Sequence, residues 1–268
     1  MKTFGLIGKS LFHSFSQQYF TEKFLQQKIQ DVEYCLFPLA SIEEVKELLK
    51  RPTLLGFNVT IPYKSEIVPF LDELDAVAQE IGAVNCVVKR DNRWVGYNTD
   101  VIGFEQTLEQ LLLYQRQNST KVRKHEGTKE VRFAPSCLRA FALVLGSGGA
   151  SKAVRYVLQQ KEIPFQTVSL KKTEETITYN EVTDEFIRCT TLIINATPLG
   201  MFPNMDEMPQ IPYTALHKEH ILIDLIYNPE ETLFLKEGKK HGALTINGLP
   251  MFRAQAEAGW RLFLNALP

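Results

Sequence analysis

A glycine-rich turn placed past the midpoint constrains this chain more than any other feature. Phe141-Ala142-Leu143-Val144-Leu145 reads as a short buried strand that runs into Gly146-Ser147-Gly148-Gly149-Ala150-Ser151, and a helical pattern begins at Lys152. Strand, tight turn and helix N-terminus in that order bring backbone N–H groups and a helix dipole to a phosphate-bearing cofactor. Ser151 stands where the third glycine of such loops usually lies, a packing position that tolerates a small residue. In a nucleotide-binding domain on its own this turn opens the fold. Here more than half of the 268 residues precede it. A first folded unit therefore comes before it, and a substrate site is expected there.

The flanking sequence reads as α/β throughout. Strand patterns cover 3–8, 32–37, 55–60, 83–88 and 93–97; a helix covers 17–27, and another follows Ser41, with Glu44 at the capping-box position. From Val101, apolar residues at 101, 104, 108, 111 and 112 keep helical spacing. The pattern breaks at Tyr114, and 114–136 carries Arg116, Lys121, Arg123, Lys124, Lys129 and Arg132 with few apolar residues. A solvated surface insertion is expected there. Beyond the turn, strands over 164–170, 191–196, 220–227 and 243–246, a weak helix over 181–187 and an amphipathic helix over 252–267 fit a parallel sheet covered on both faces.

Bulk properties narrow the partners. A net charge of −1 argues against nucleic acid or an anionic membrane surface. No apolar run approaches the roughly 20 residues that span a bilayer, and Met1-Lys2-Thr3-Phe4-Gly5 lacks a signal-peptide core. Cys35, Cys86, Cys137 and Cys189 are scattered without a CxxC. We expect a cytoplasmic protein with incidental thiols, no metal, a small-molecule substrate, and a monomeric or homodimeric state.

Chemistry-bearing residues concentrate in the first half. Asn58-Val59-Thr60-Ile61-Pro62-Tyr63-Lys64 ends a strand and places a lysine past a proline-stiffened turn; Asn98-Thr99-Asp100 follows another strand. A lysine and an aspartate at neighbouring strand ends form a proton-transfer pair when they face a cleft, and surface charges when they do not. Ser14 and Ser16 alternate in what reads as an extended loop, so that both hydroxyls could receive a carboxylate; read without context they are helix caps, since a helical pattern follows directly. His13 has no orienting carboxylate nearby in sequence and is read as non-catalytic. After the 164–170 strand come Lys171 and Lys172, with no acid at the strand end. Positive charge there favours NADP over NAD, against the alternative of a solvated turn shared with Glu174 and Glu175.

Taken in order, these blocks resemble the shikimate dehydrogenase family over nearly the whole chain outside the insertion. The matching segments are Ser14 and Ser16, 58–64, Gly82-Ala83-Val84-Asn85, 96–103, 146–151, Asn195-Ala196-Thr197-Pro198-Leu199-Gly200-Met201, Asp224-Leu225-Ile226-Tyr227-Asn228-Pro229, and 247–251 with Gln255-Ala256. The resemblance implies an N-terminal α/β substrate-binding domain over 1–102. A Rossmann-type doubly wound NADP-binding domain would cover 103–247, and a C-terminal helix, about 248–268, would return to the first domain. It implies reversible NADPH-dependent reduction of 3-dehydroshikimate to shikimate. Ser14, Ser16 and Tyr227 would serve the substrate carboxylate, and Thr60, Asn85 and Gln255 other substrate oxygens. Lys64 and Asp100 would serve the carbinol–ketone centre. Gly146, Ser147, Gly148, Gly149, Ala150, Ser151, Ser169, Lys171, Lys172, Thr197, Met201 and Gly248 would serve the cofactor.

Two departures stand out. The family usually carries an arginine after the second cofactor-domain strand, where this chain has Leu170, and a lysine beside it offers a point charge rather than a planar fork. The 114–136 segment is also longer than the usual link. Leu170 keeps open a quinate/shikimate dehydrogenase with relaxed NAD/NADP use. A non-catalytic regulator on the same fold fits poorly with an intact Lys64 and Asp100, and a methylene-tetrahydrofolate dehydrogenase lacks the serine pair.

Overall fold

The computed structural model describes residues 1–11, 14–122 and 141–267, with the side chains of 114–122 left aside. The described residues divide into two units: Met1–Val101, Gly148–Ala153 and Arg253–Pro268 form the first, and Ile102–Ser147 and Val154–Phe252 the second.

In the first unit a six-stranded sheet has the order β2-β1-β3-β5-β6-β4. Its strands are β1 (Lys2–Gly8), β2 (Val32–Pro38), β3 (Leu54–Val59), β4 (Glu73–Leu74), β5 (Cys86–Arg90) and β6 (Arg93–Tyr97). β1 pairs parallel with β2 and β3, while β5 runs antiparallel to β3 and β6. Side-chain alternation splits β1 between two cores. Ile7 joins Leu54, Phe57, Val59, Ile67, Val84 and Val87 under α2 (Val45–Leu49) and α3 (Ala76–Ile81). Phe4 points to the other face and stacks on Phe263 at 4.5 Å, where α1 (Phe15–Gln26) contributes Phe20 and Phe24 and the C-terminal helix contributes Trp260 and Phe263. Lys23 and Tyr19 of α1 both donate to Glu257, at 2.6 and 2.8 Å, fixing the register of that helix on this unit.

The second sheet is fully parallel with the order β12-β11-β10-β7-β8-β9: β7 (Ala142–Leu145), β8 (Phe165–Ser169), β9 (Thr176–Thr178), β10 (Leu192–Asn195), β11 (Ile221–Asp224) and β12 (Leu244–Ile246). Chain order runs outward from β7 in both directions, so β7 and β10 flank the switch point where open α/β sheets bind ligands. Helices α4 (Asp100–Val122), α5 (Gly149–Gln160), α6 (Asp184–Arg188), α7 (Leu233–Lys240) and α8 (Leu249–Leu264) complete the described elements.

Several boundaries differ from the sequence expectation. α4 does not stop at Tyr114; it continues to Val122. The periodicity there reports only the face that Phe104, Leu108 and Leu111 bury, whereas Gln and Arg sustain a helix without an apolar face. The rest of the expected insertion, from 123, lies outside the described residues, as does His13. β11 ends at Asp224, so Ile226 and Tyr227 lie in a loop. α8 begins at Leu249, with Pro250 tolerated in its first turn, and ends at Leu264. α3 and α7 are additional helices, capped by Asp75 and Thr232.

Candidate active site

In the first unit, the turn after β3 carries Lys64. Tyr63 is buried and donates its hydroxyl to the Leu39 carbonyl at 2.8 Å, and the Lys64 carbonyl accepts from Val84 N–H at 2.7 Å. The backbone on both sides of the lysine is therefore fixed. Asp100 opens α4, where a helix N-terminus favours a carboxylate. Lys64 Nζ donates to Asp100 Oδ2 at 2.6 Å, and the two side chains are 14% and 6% exposed. An ammonium carries three donors and this contact uses one.

The carboxylate is itself held. Asn85 lies just before β5 and is almost fully buried; its Nδ2 donates to Asp100 Oδ1 and to Thr99 Oγ1, both at 2.9 Å, and its Oδ1 accepts the Thr99 N–H at 2.6 Å. Gln255 Oε1 lies 3.3 Å from the same Nδ2 and 3.4 Å from Thr99 Oγ1. Asn58, below, accepts from the Tyr34 hydroxyl at 2.8 Å. Lys64, Asp100, Asn85 and Gln255 are thus one hydrogen-bonded cluster, and Thr99 is a member that residue-type reasoning passed over. Thr60 sits at the end of β3, its N–H on the Ile7 carbonyl at 2.9 Å.

Ser14 and Ser16 do not alternate in an extended loop. Ser14 is the N-cap of α1, its Oγ accepting Ser16 N–H at 3.2 Å, and Ser16 is already within the helix and buried. The cap satisfies a helix donor that would otherwise lack a partner and leaves the Ser14 hydroxyl proton free of that bond.

The glycine turn fits a phosphate group. Gly146 has φ +104°, and a Cβ there would fall 2.9 Å from the Thr197 methyl. At Gly148 a Cβ would meet nothing within 4 Å, so the fold itself does not require glycine there, and the open space lies just before the N-terminus of the 12-residue α5. Within the first unit, a Cβ on Gly149 would come 2.7 Å from that of Lys64, and Lys152 donates to Ser65 Oγ and the Gly82 carbonyl, both at 3.0 Å. Ser151 is fully buried. In the second unit Ser147 and Ser169 hydroxyls meet at 3.0 Å beyond β7 and β8. Leu170 is 88% exposed, Lys171 is exposed, and Lys172 is ion-paired with Glu181. Arg155 of α5 pairs with Glu175.

At the ends of β10 and β11, Thr197 is tied to Asn195, Met201 is partly exposed, and Tyr227 packs its ring 4.8 Å from Phe252. Burial pushes the Tyr227 hydroxyl up to about 12, so it is a neutral donor throughout the working pH range. A Cβ on Gly248 would lie 2.1 Å from the Leu225 carbonyl oxygen. Among the described residues no group of three His, Cys, Asp or Glu side chains is placed to hold a metal, and no helix is long and apolar enough to cross a membrane.

A family model for the shikimate dehydrogenase substrate-binding domain matches residues 6–87, the segment that holds Lys64 and Asn85. A shikimate dehydrogenase (NADP(+)) of Methanococcus maripaludis is 34% identical, covering 100% of this chain and 93% of that protein. The chain belongs to the shikimate dehydrogenase family. Solved members of comparable fold include shikimate dehydrogenase 1 from Peptoclostridium difficile, with TM-score 0.80, 32% identity, and 99% and 92% of the two chains covered. A quinate dehydrogenase from Corynebacterium glutamicum in complex with NAD has TM-score 0.78 and 27% identity, with 98% and 94% covered. In this shikimate dehydrogenase family member Thr60, Lys64, Ser169, Thr197 and Gly248 end strands or follow them, whereas Ser16 and Gln255 lie in helices α1 and α8.

Proposed function

We propose that the chain is an NADP-dependent oxidoreductase acting on a CH–OH group, which interconverts 3-dehydroshikimate and shikimate on the route to chorismate and the aromatic amino acids. The 34% identity along the chain to a shikimate dehydrogenase (NADP(+)) supports the substrate and the cofactor. The observation that carries the chemistry is the Lys64–Asp100 pair at 2.6 Å, which is nearly buried.

When bound, NADPH supplies the hydride. As the ketone is reduced its oxygen gains negative charge, and the Lys64 ammonium donates to that oxygen and then its proton. Asp100 aims the ammonium through a charge-assisted hydrogen bond, Asn85 aims Asp100, and Thr99 holds Asn85. Ser14 and Ser16 serve the substrate carboxylate as neutral hydroxyl donors, Tyr227 adds another, and Thr60, Asn85 and Gln255 serve ring oxygens. Gly146 to Ser151 would hold the pyrophosphate. Ser147, Ser169 and Lys171 would hold the adenine-side ribose phosphate, with Lys172 committed to Glu181. Thr197, Met201 and Gly248 would line the nicotinamide end. Residues 1–102 then act as the substrate domain and 103–247 as the cofactor domain, in a cytoplasmic monomer or homodimer.

A second reading is quinate/shikimate dehydrogenase with relaxed cofactor use. Exposed Leu170 in place of an arginine, and the likeness to an NAD-bound quinate dehydrogenase, favour it. The test is incubation of the purified protein with shikimate and NADP+, with the organic product identified by NMR. 3-Dehydroshikimate formed in proportion to reduced cofactor is the expected result; folded protein that forms none would end the enzyme reading.

A further inference from the structure

Asp224 ends β11 with no solvent exposure, and its carboxylate is where three segments of the second unit meet. Oδ1 accepts from Asn195 Nδ2 and from the Ile226 N–H, each at 3.0 Å, and Oδ2 accepts the Thr232 hydroxyl at 2.5 Å. Burial pushes the carboxyl up to about 7 against those three hydrogen bonds. An apolar residue here would avoid the cost of burying a charge, so the group calls for an account beyond packing.

Each bond leads outward. Asn195 ends β10, and its Oδ1 accepts the Thr197 N–H at 3.0 Å and the Thr197 hydroxyl at 2.6 Å. Thr197 Oγ1 in turn accepts Leu199 N–H at 3.2 Å, closing the turn that leads to Met201. The Ile226 carbonyl accepts Gly248 N–H at 2.9 Å, and at Gly248 the chain lies too close to Leu225 for any side chain. Thr232 caps α7. Thr197, Met201, Tyr227 and Gly248 therefore all lie on loops anchored to one carboxylate, at the carboxyl ends of adjacent parallel strands.

We infer that Asp224 is a positioning residue for the dinucleotide: acting through Asn195, Ile226 and Gly248, it sets the three loops of the nicotinamide end as one piece. The inference rests on the NADP-dependent reading above. Thr232 gives an internal control, because its hydroxyl joins Asp224 to the α7 cap and donates to no loop that carries Thr197, Met201, Tyr227 or Gly248.

The experiment compares wild type, Asp224→Ala, Asp224→Asn, Asn195→Ala and Thr232→Ala by thermal melting, NADP+ titration calorimetry and steady-state kinetics. Asp224→Ala and Asn195→Ala are expected to weaken NADP+ binding about ten- to hundredfold, the size of one or two buried donors left unpaired. The KM for NADP+ should rise more than kcat falls. Asp224→Asn, which keeps an acceptor for Asn195 and Ile226 and can donate to Thr232, should recover most of the affinity. Thr232→Ala should melt lower and bind NADP+ normally. Folded Asp224→Ala with wild-type affinity overturns the inference, as does an Asn variant no better than Ala. If Asp224→Ala does not fold, unchanged NADP+ affinity in Asn195→Ala overturns it. A wild type that binds no NADP+ overturns the functional reading and the inference together.

Discussion

Replacing Lys64 by alanine removes the cation fixed against Asp100. The size of the loss follows from the geometry. Two unit charges 2.6 Å apart attract by about 6 kcal/mol at an effective dielectric constant near 20. A ketone oxygen carrying half a charge at the transition state, at similar distance from Nζ, would gain about half of that, some 3 kcal/mol, or roughly two orders of magnitude in rate. Proton delivery to the same oxygen adds to this, and positioned acid–base groups contribute about 10²- to 10⁴-fold. Turnover should thus fall at least about a hundredfold, with the loss in kcat as well as kcat/KM because the interaction is made in the transition state. Stopped-flow or steady-state absorbance of the reduced cofactor measures it, with NADP+ affinity and melting temperature as controls for an intact fold. Near-normal kcat in folded Lys64→Ala would refute the electrostatic argument and remove the lysine from the mechanism.

Other perturbations reach the supporting shell. Asn85→Ala leaves the Thr99 N–H without its acceptor and Asp100 Oδ1 without its Asn85 donor, so it should cost about 1–3 kcal/mol of stability in denaturant titration; an unchanged midpoint would contradict the network. Glu257 is held below the usual carboxylate range, chiefly by its hydrogen bond from Lys23 and next by that from Tyr19. A depressed carboxyl adds stability above its unfolded value and loses it as pH falls through the folded value. The melting-temperature gap between wild type and Glu257→Gln should therefore be steady near neutrality and close under acid conditions; as the side chain is 39% exposed, the gap should be small. Leu170→Arg should raise the preference for NADP over NAD about tenfold or more through a charge-assisted contact, measured as the ratio of the two dissociation constants, and an unchanged ratio would place the 2′-phosphate elsewhere.

What the sequence disclosed was mostly local. The β7–turn–α5 segment announces itself because strand, glycines and helix are contiguous. So does the core face of α4 as far as Leu112. The cluster around Asp100 was only half visible: Lys64 and Asp100 stood out by residue type, but Asn85 meets Gln255 across 170 residues, a contact no periodicity reports. Ser14 and Ser16 looked extended because two serines spaced by one residue give no sign of where a helix begins, whereas the cap bond decides it. α3 and α7 carried readable caps at Asp75 and Thr232; the short length of one and the glycine and lysines of the other masked them. Asp224 was passed over because its apolar neighbours read as one strand running on to Tyr227. The break in β11 at Asp224 is what makes that carboxylate a junction.

The most direct test is a four-way specificity measurement, with shikimate and quinate each crossed against NADP+ and NAD+, and kcat/KM taken from the absorbance of the reduced cofactor. The account predicts the highest value for shikimate with NADP+. Equal or higher values for quinate with NAD+ would contradict it and transfer the chain to the broader quinate/shikimate class.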